Sequence, residues 1–269
     1  MTDERDLTAF LAGETLYGDD FDQAAIDRWF ADEADAYVEM TGDGVEEYGY
    51  EQWAIRFGYR HLPADRRFRH ALGFGSGLGG ELVPAADRID RVTIVESSAM
   101  YDHPATGLTM PVEFLPAESS GDLALADHAV DLVVCFGVLH HIPNVSHVVR
   151  ELARVTEPGG WAVVREPIVS LGDWTRPRAG ATARERGIPI DLLRQIVTSA
   201  GFVVERETLV GFPPITRVWR YWTAPYNSRV WTAADQSICA ALRRRVRYHA
   251  TTSWQKVRPT SVAMVLRRE

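Results

Sequence analysis

From residue 68 the chain alternates short apolar runs with stretches whose apolar positions recur at helical spacing, a pattern that predicts alternating strands and helices. Strands are predicted at residues 68–74, 91–96, 112–115, 131–136 (DLVVCF), 161–165, 202–210 and 261–266. Helices are predicted from a glycine-rich turn through about residue 83, over 147–156 ahead of Pro158-Gly159-Gly160, and over 191–200, closed by Gly201. Repeated strand–helix units imply an α/β fold: a mostly parallel sheet, right-handed crossovers and helices on both faces. Ahead of this part, Phe21, Ile26, Trp29, Phe30 and Tyr37 recur at helical spacing within 20–40, with Asp19 or Asp20 placed to cap the start. A second helix is predicted at 51–60, stopped by Pro63. Residues 1–66 therefore read as a helical cap and 67–269 as the main domain, in which 212–258 form an aromatic, arginine-rich and mostly helical insertion before the last strand.

Composition narrows the class. With 269 residues, 46% of them hydrophobic and 25% charged, the chain can bury a sizeable core, which excludes disordered and fibrous classes. No apolar run approaches the ~18 residues of a membrane span, and the start MTDERDLTAF is too acidic for a signal peptide. Two cysteines, Cys135 and Cys239, cannot make a disulfide framework, so a reducing cytoplasmic location is expected. No spaced set of Asp, Glu and His ligands stands out, so no metal is expected. The net charge of −8 is uneven: −12 over residues 1–60, −4 over 61–200 and +8 over 201–269, densest at Arg243, Arg244, Arg245 and Arg247. That segment reads either as a solvated face offsetting the acidic N-terminal part or as a surface that meets an anion. A nucleic-acid partner is not expected of a chain that is acidic overall.

Candidate chemistry begins at Gly73-Phe74-Gly75-Ser76-Gly77-Leu78-Gly79-Gly80, which joins the first strand to its helix. Glycine permits a tight turn and close approach of the backbone to a ligand. Gly75, Gly77 and Gly80 fit G-x-G-x-x-G, and Glu96 lies where a ribose-binding acid belongs in a nucleotide fold. Alone, this motif allows NAD, FAD or S-adenosylmethionine (SAM).

The next segments separate these. Residues 131–144 read DLVVCFGVLHHIPN, and residues 151–160 read ELARVTEPGG. Here the chain resembles class I SAM-dependent methyltransferases of the methyltransferase-11-like group, over roughly residues 68–165. The terminal strand suits the seven-stranded, Rossmann-like methyltransferase sheet, whose last strand is antiparallel. Softer likenesses at 16–20 (LYGDD), 165–168 (REPI), 172–174 (GDW) and 185–187 (ERG) are similar to methyltransferases found among bacterial polysaccharide biosynthesis proteins. The resemblance implies that the turn with Gly73, Gly75, Gly77 and Gly79 passes under the methionine part of SAM. It further implies that Glu96, with Ser97, accepts the ribose hydroxyls, that Glu118 and Ser119 flank the adenine, and that Phe136 and Gly137 border the sulfonium. Position 73 departs from the family, which usually has an acid there to meet the SAM amino group; Glu81 is a substitute.

Methyl transfer to a hydroxyl needs alignment and a proton sink. His140 and His141, at the carboxyl edge of the sheet, are candidate bases, with the lean toward His140; Glu166 is a further base or orienting group. Tyr17, Trp219, Tyr221, Trp222 and Tyr226 read either as core or as walls of an acceptor pocket, with the 212–258 insertion on the acceptor side. Arg176, Arg184 and Arg186 read either as solvated loop or as an oxyanion clamp. The expected function is methyl transfer from SAM to a hydroxyl, or an amine, of a small polar acceptor. That acceptor is read as a sugar or related intermediate, phosphorylated or carboxylated if the arginines reach it. The alternatives are an NAD(P)-dependent oxidoreductase and a non-catalytic methyltransferase-like scaffold.

Overall fold

Seven strands form one sheet: β1 (Ala71–Phe74), β2 (Val92–Glu96), β3 (Val112–Pro116), β4 (Val130–Phe136), β5 (Thr156–Pro167), β6 (Phe202–Val210) and β7 (Ser261–Arg268). The computed structural model describes residues 7–41, 49–97, 104–105, 107–171, 182, 184–215 and 224–269. Strand order is β3-β2-β1-β4-β5-β7-β6; β1 to β5 are parallel, and β7 lies antiparallel between β5 and β6. This is the seven-stranded order, with an antiparallel last strand, that the resemblance implies. The helices are α1 (Thr8–Ala12), α2 (Gln23–Thr41), α3 (Glu51–Phe57), α4 (Val145–Val155), α5 (Ile190–Ser199) and α6 (Arg229–Ala241).

Strand side chains alternate between two faces, so each inner strand feeds two cores. On one face Leu72, Val133, Cys135, Val164 and Met264 pack with α4 and α5. On the other, Leu132, Val134, Val163 and Val265 pack with Trp53 and Phe57 of α3. Burial on both faces explains why β4 reads as an unbroken apolar run rather than an alternating one. Cys135 and Cys239 are buried and unpaired.

The structure corrects several expected boundaries. The first strand starts at Ala71 rather than 68, because the Asp131 carboxylate takes the Arg69 and His70 amides at 2.9 and 3.0 Å; Phe68 keeps only an isolated bridge to Ile89. After the glycine turn comes a 3-10 helix, Gly80–Arg88, with Pro84 inside it, where the missing N–H forbids a regular α ladder. Asp22, not Asp19 or Asp20, caps α2 by accepting the Ala25 amide at 2.8 Å. Asp19 instead caps α4 from a distance, accepting the Ser146 amide at 2.8 Å and its hydroxyl at 2.5 Å. Pro158, Gly159 and Gly160 belong to the irregular start of β5 rather than to a turn before it.

The helical cap does not behave as one unit. Helix α3 is part of the sheet's core, while Tyr17 and Trp29 form a separate aromatic cluster with Phe10, Phe21 and Tyr248. Helix α6 of the insertion lies against β6 and α3, anchored by buried Asp235, which accepts the Gly211 and Phe212 amides at 2.9 and 2.7 Å. Tyr226 stacks on Tyr50 there. None of the described residues of 212–258 lines the crevice, although Tyr248 reaches the Tyr17–Trp29 cluster. Asp173, Trp174, Arg176, Arg178, Trp219, Tyr221 and Trp222 lie outside the described residues.

Candidate active site

Strand order reverses between β1 and β4, and a crevice opens beyond the carboxyl ends of the strands there, as open α/β sheets do at a switch point. Its floor is Phe74 and Gly75 after β1, Glu96 and Ser97 at β2, Glu118 and Ser119 beyond β3, and Phe136 and Gly137 at the end of β4. Phe30 and Glu33 of α2 form the facing wall, with His141 beside them. Gly75 has φ +65°, and a Cβ there would meet the Val138 side chain at 2.5 Å, so only glycine lets the two strand ends close up.

These residues fit a nucleoside cofactor. Glu96 accepts the Gly77 amide through Oε2 at 2.9 Å and the Ser97 amide through Oε1 at 2.8 Å, which orients its carboxylate at the crevice edge. Oε1 also accepts the Ser97 hydroxyl at 3.2 Å, so of about four acceptor positions one on Oε2 stays open for a ribose hydroxyl, and a second hydroxyl would take the place of Ser97 Oγ on Oε1. The Ser119 hydroxyl donates to Asp27 at 2.7 Å and ties the loop after β3 to α2. Gly73, Gly77 and Gly79, expected to contact the cofactor, are not among the lining residues. Gly73 sits in β1, Gly77 donates its amide to Glu96, and a Cβ at Gly79 would meet Ile94 and Leu108 at 2.8 Å. They shape the turn that places Gly75 and Glu96.

The two histidine rings lie close, with centroids 4.0 Å apart, but only His141 lines the crevice. His141 lines it, with Nδ1 2.7 Å from Glu33 Oε2. With the proton on Nδ1, Nε2 is the acceptor. Burial alone would raise the Glu33 carboxyl, but hydrogen bonds from His141 and Thr182, the nearby His141 charge and the Arg184 amide hold it below its ordinary value. His140 does not line the crevice; its Nδ1 donates to Glu166 at 2.8 Å. Burial, then the neighbouring His141, lowers the His140 pKa, against the opposing pull of Glu166. The lean toward His140 is thus reversed.

Glu166 is completely buried and saturated. Its Oε1 accepts the Val138 and Leu139 amides at 3.0 and 2.9 Å, while Oε2 accepts the His140 amide at 3.3 Å as well as its ring. It holds the turn after β4 in shape and has no lone pair left for an acceptor's proton. Of its two expected roles, orienting the histidine is the one this geometry serves.

Arg186, read either as solvated loop or as an oxyanion clamp, is instead a buried strap. Nε donates to Tyr17 O at 2.6 Å, Nη1 to His140 O at 3.3 Å, and Nη2 to Ile142 O and Pro143 O at 3.1 and 3.0 Å. Burial pulls its pKa down to about 10. Arg184 is paired with Asp32 at 2.6 Å. The lining holds Glu33, Glu96, Glu118 and Asp122 but no arginine or lysine among the described residues.

Three residues here escaped sequence reasoning. Glu33 looks like any acid on the polar side of an amphipathic helix. The Thr182 hydroxyl lies 2.6 Å from Glu33 Oε2 and 3.1 Å from Glu185 Oε2, bridging segments far apart in the chain. His140, His141 and Glu185 also bring donor atoms within 4.8 Å of one another, a composition able to hold a metal ion that no regular spacing reveals.

Comparison with known proteins agrees with this geometry. Residues 72–164 match the model of the methyltransferase domain family. Over 83 residues the chain is 35% identical to the ubiquinone biosynthesis O-methyltransferase of Bordetella pertussis, covering 31% of this chain and 30% of that protein. Over 154 residues it is 31% identical to an uncharacterized methyltransferase of Mycobacterium leprae, covering 51% of this chain and 55% of that one. The matches thus span less than two thirds of either relative. Among solved structures, an S-adenosylmethionine-dependent methyltransferase from Mesorhizobium loti shares the fold, with a TM-score of 0.50 at 16% identity over 77% of this chain and 94% of that one.

Proposed function

Residues 72–164 being a methyltransferase domain of the SAM-dependent class I kind, we propose that the protein transfers a methyl group from SAM to a hydroxyl, or an amine, of a small, polar, sugar-like acceptor. The observation that carries this reading is the Glu33–His141 pair standing in the crevice wall beside the positions suited to the cofactor. When bound, SAM supplies the electrophilic methyl group.

The remaining work falls to the chain's own residues. Gly75, Glu96, Ser97, Glu118, Ser119, Phe136 and Gly137 would hold the cofactor, with Glu96 receiving the ribose hydroxyls. His141 takes up the acceptor's proton at Nε2. Glu33 keeps Nδ1 protonated and stabilises the imidazolium that forms. Glu166 positions the turn that carries both histidines. An acidic lining favours an acceptor that donates hydrogen bonds, such as a neutral polyol or an amine, over the phosphate- or carboxylate-bearing acceptor the charge pattern suggested.

The test is a screen of sugars, nucleotide-linked sugars and small amines, read by release of S-adenosylhomocysteine. Turnover is expected with a neutral polar acceptor and is expected to collapse in His141→Ala. Absence of SAM binding, or turnover confined to anionic acceptors, would overturn the reading in its first or second part.

A further inference from the structure

Residues 236–268 carry eight arginines and lysines and not one acid. Elsewhere in the fold arginines are spent on carboxylates: Arg154 on Glu151 and Asp127, and Arg194 on Asp191 and Glu207. Arg243, Arg244, Arg247 and Lys256 are exposed instead, and among the described residues none of the four has a carboxylate partner. Trp254 stands in the same segment and is 70% exposed. Arg245 lies over its ring, 4.1 Å from the centroid, and donates Nη1 to Val257 O at 3.4 Å, so the indole is held at the surface rather than folded into the core.

The segment is braced from beneath. Buried Arg258 donates Nη1 to Gln255 O at 2.8 Å and Nη2 to Tyr248 O at 3.2 Å, which pins the turn that carries Trp254. Burial, then the Arg247 charge, pull the Arg258 pKa down; the cations here repel one another, and among the described residues no anion relieves them. The segment also lies at the carboxyl edge of the sheet, where the crevice opens. It runs into Ser261 of β7, which pairs with Pro167 at the end of β5. Tyr248 within it donates to Gly187 O at 2.8 Å and packs on the Tyr17–Trp29 cluster.

Cations without partners favour an outside anionic surface, and an amphipathic indole suits the headgroup layer of a bilayer. We propose that residues 243–256 form a docking surface for a bilayer rich in anionic phospholipid, with Trp254 seated in the headgroup layer and Arg243, Arg244, Arg247 and Lys256 on lipid phosphates. Docking holds the crevice edge of the sheet at the membrane. A single-stranded nucleic acid would also meet positive charge, but it stacks successive bases on several open rings. Trp254 is the one exposed aromatic residue of this segment, and its ring already carries Arg245.

The experiment is co-sedimentation of the full chain with vesicles of phosphatidylcholine alone and of phosphatidylcholine with phosphatidylglycerol. Wild type is expected to sediment with the anionic vesicles at about 50 mM salt, to leave them at about 500 mM, and to ignore the neutral ones. Arg243→Glu with Arg244→Glu should lower the partition coefficient by about tenfold or more, and Trp254→Ala by about three- to tenfold. These side chains are exposed, so melting temperature and S-adenosylhomocysteine affinity should stay as in wild type. Arg28→Glu, a charge reversal on the exposed side of α2, should change partitioning by less than about twofold. No sedimentation with anionic vesicles, equal binding to neutral ones, or an equal loss in Arg28→Glu would overturn the proposal. So would binding of a single-stranded oligonucleotide through the same residues without vesicle binding, which would make the surface a nucleic-acid site. The cofactor reading stands or falls separately, on the S-adenosylhomocysteine titration.

Discussion

Glu33, on α2, accepts a hydrogen bond from His141 Nδ1 at 2.7 Å, across 108 positions of sequence. The contact fixes which ring nitrogen is bare and turns an acid on a surface helix into part of the crevice wall. Trp29, one turn earlier, donates its Nε1–H to His141 O at 2.7 Å, so the same helix holds both the ring and the backbone of this residue. The catalytic proposal is therefore testable from either end of the pair.

His141→Ala should reduce turnover by about 10²–10⁴-fold if proton removal limits the rate, with S-adenosylhomocysteine affinity nearly unchanged. Glu33→Gln should lower turnover in the same direction but less, because Nδ1 keeps a hydrogen-bond acceptor. Single-turnover kinetics with cofactor affinity measured alongside checks both. Full activity in His141→Ala would move the base elsewhere.

Glu96→Ala should weaken S-adenosylhomocysteine by about 2 kcal/mol, since two ribose hydroxyls lose a charged acceptor. The same variant frees the Gly77 and Ser97 amides, so circular dichroism should accompany the titration. A folded variant with wild-type affinity would refute the ribose assignment.

Arg186→Met should destabilise the fold by about 3–5 kcal/mol, read by urea unfolding. Four backbone carbonyls lose their donor when the strap is cut, and Trp29 loses a guanidinium 5.3 Å from its ring centroid. Were Arg186 an acceptor clamp, the change would instead appear as a raised Michaelis constant in a protein of normal stability.

Glu81 makes the free protein's stability pH-dependent in a defined direction. Its folded pKa of about 8 exceeds the ordinary carboxyl value of 4.5, so between these the folded state holds more protons than the unfolded one. The contribution is fully present below about pH 4.5 and is lost as pH rises through 8. Urea midpoints should fall over that window in wild type and fall less in Glu81→Gln. Parallel curves would show that the buried carboxyl titrates normally.

Asp19→Ala should cost about 1 kcal/mol, because the first turn of α4 loses an acceptor for its Ser146 amide. Helix α4 carries the residues after His141, so the loss should also loosen the crevice wall. Hydrogen exchange at the Ser146 amide reads this directly.

Much of this protein was legible in residue order alone. Strand and helix positions follow from apolar period, because a strand buried on both faces and an amphipathic helix leave different spacings; β4 and α4 were expected within two residues of where they lie. The glycine turn and Glu96 were legible because a strand–turn–helix unit fixes, within one local stretch, where a backbone turn and the next strand end must stand. What folding alone decided lies in contacts between distant segments. Which of His140 and His141 faces the crevice depends on Glu166 seizing one ring and Glu33 the other, and neither acid has a spacing that announces it. Arg186 reads as a loop cation until the His140–Pro143 carbonyls surround it, and Asp19 reads as a cap for the helix that follows it until α4 takes it. Glu81 reads as a substitute acid for the cofactor's amino group, and nothing in residue order announces that the chain packs over it. Hydrophobic period is a one-dimensional signal written by burial, whereas a hydrogen bond or a shifted pKa depends on which groups the folded chain brings within about 3 Å, and that distance exists only in three dimensions.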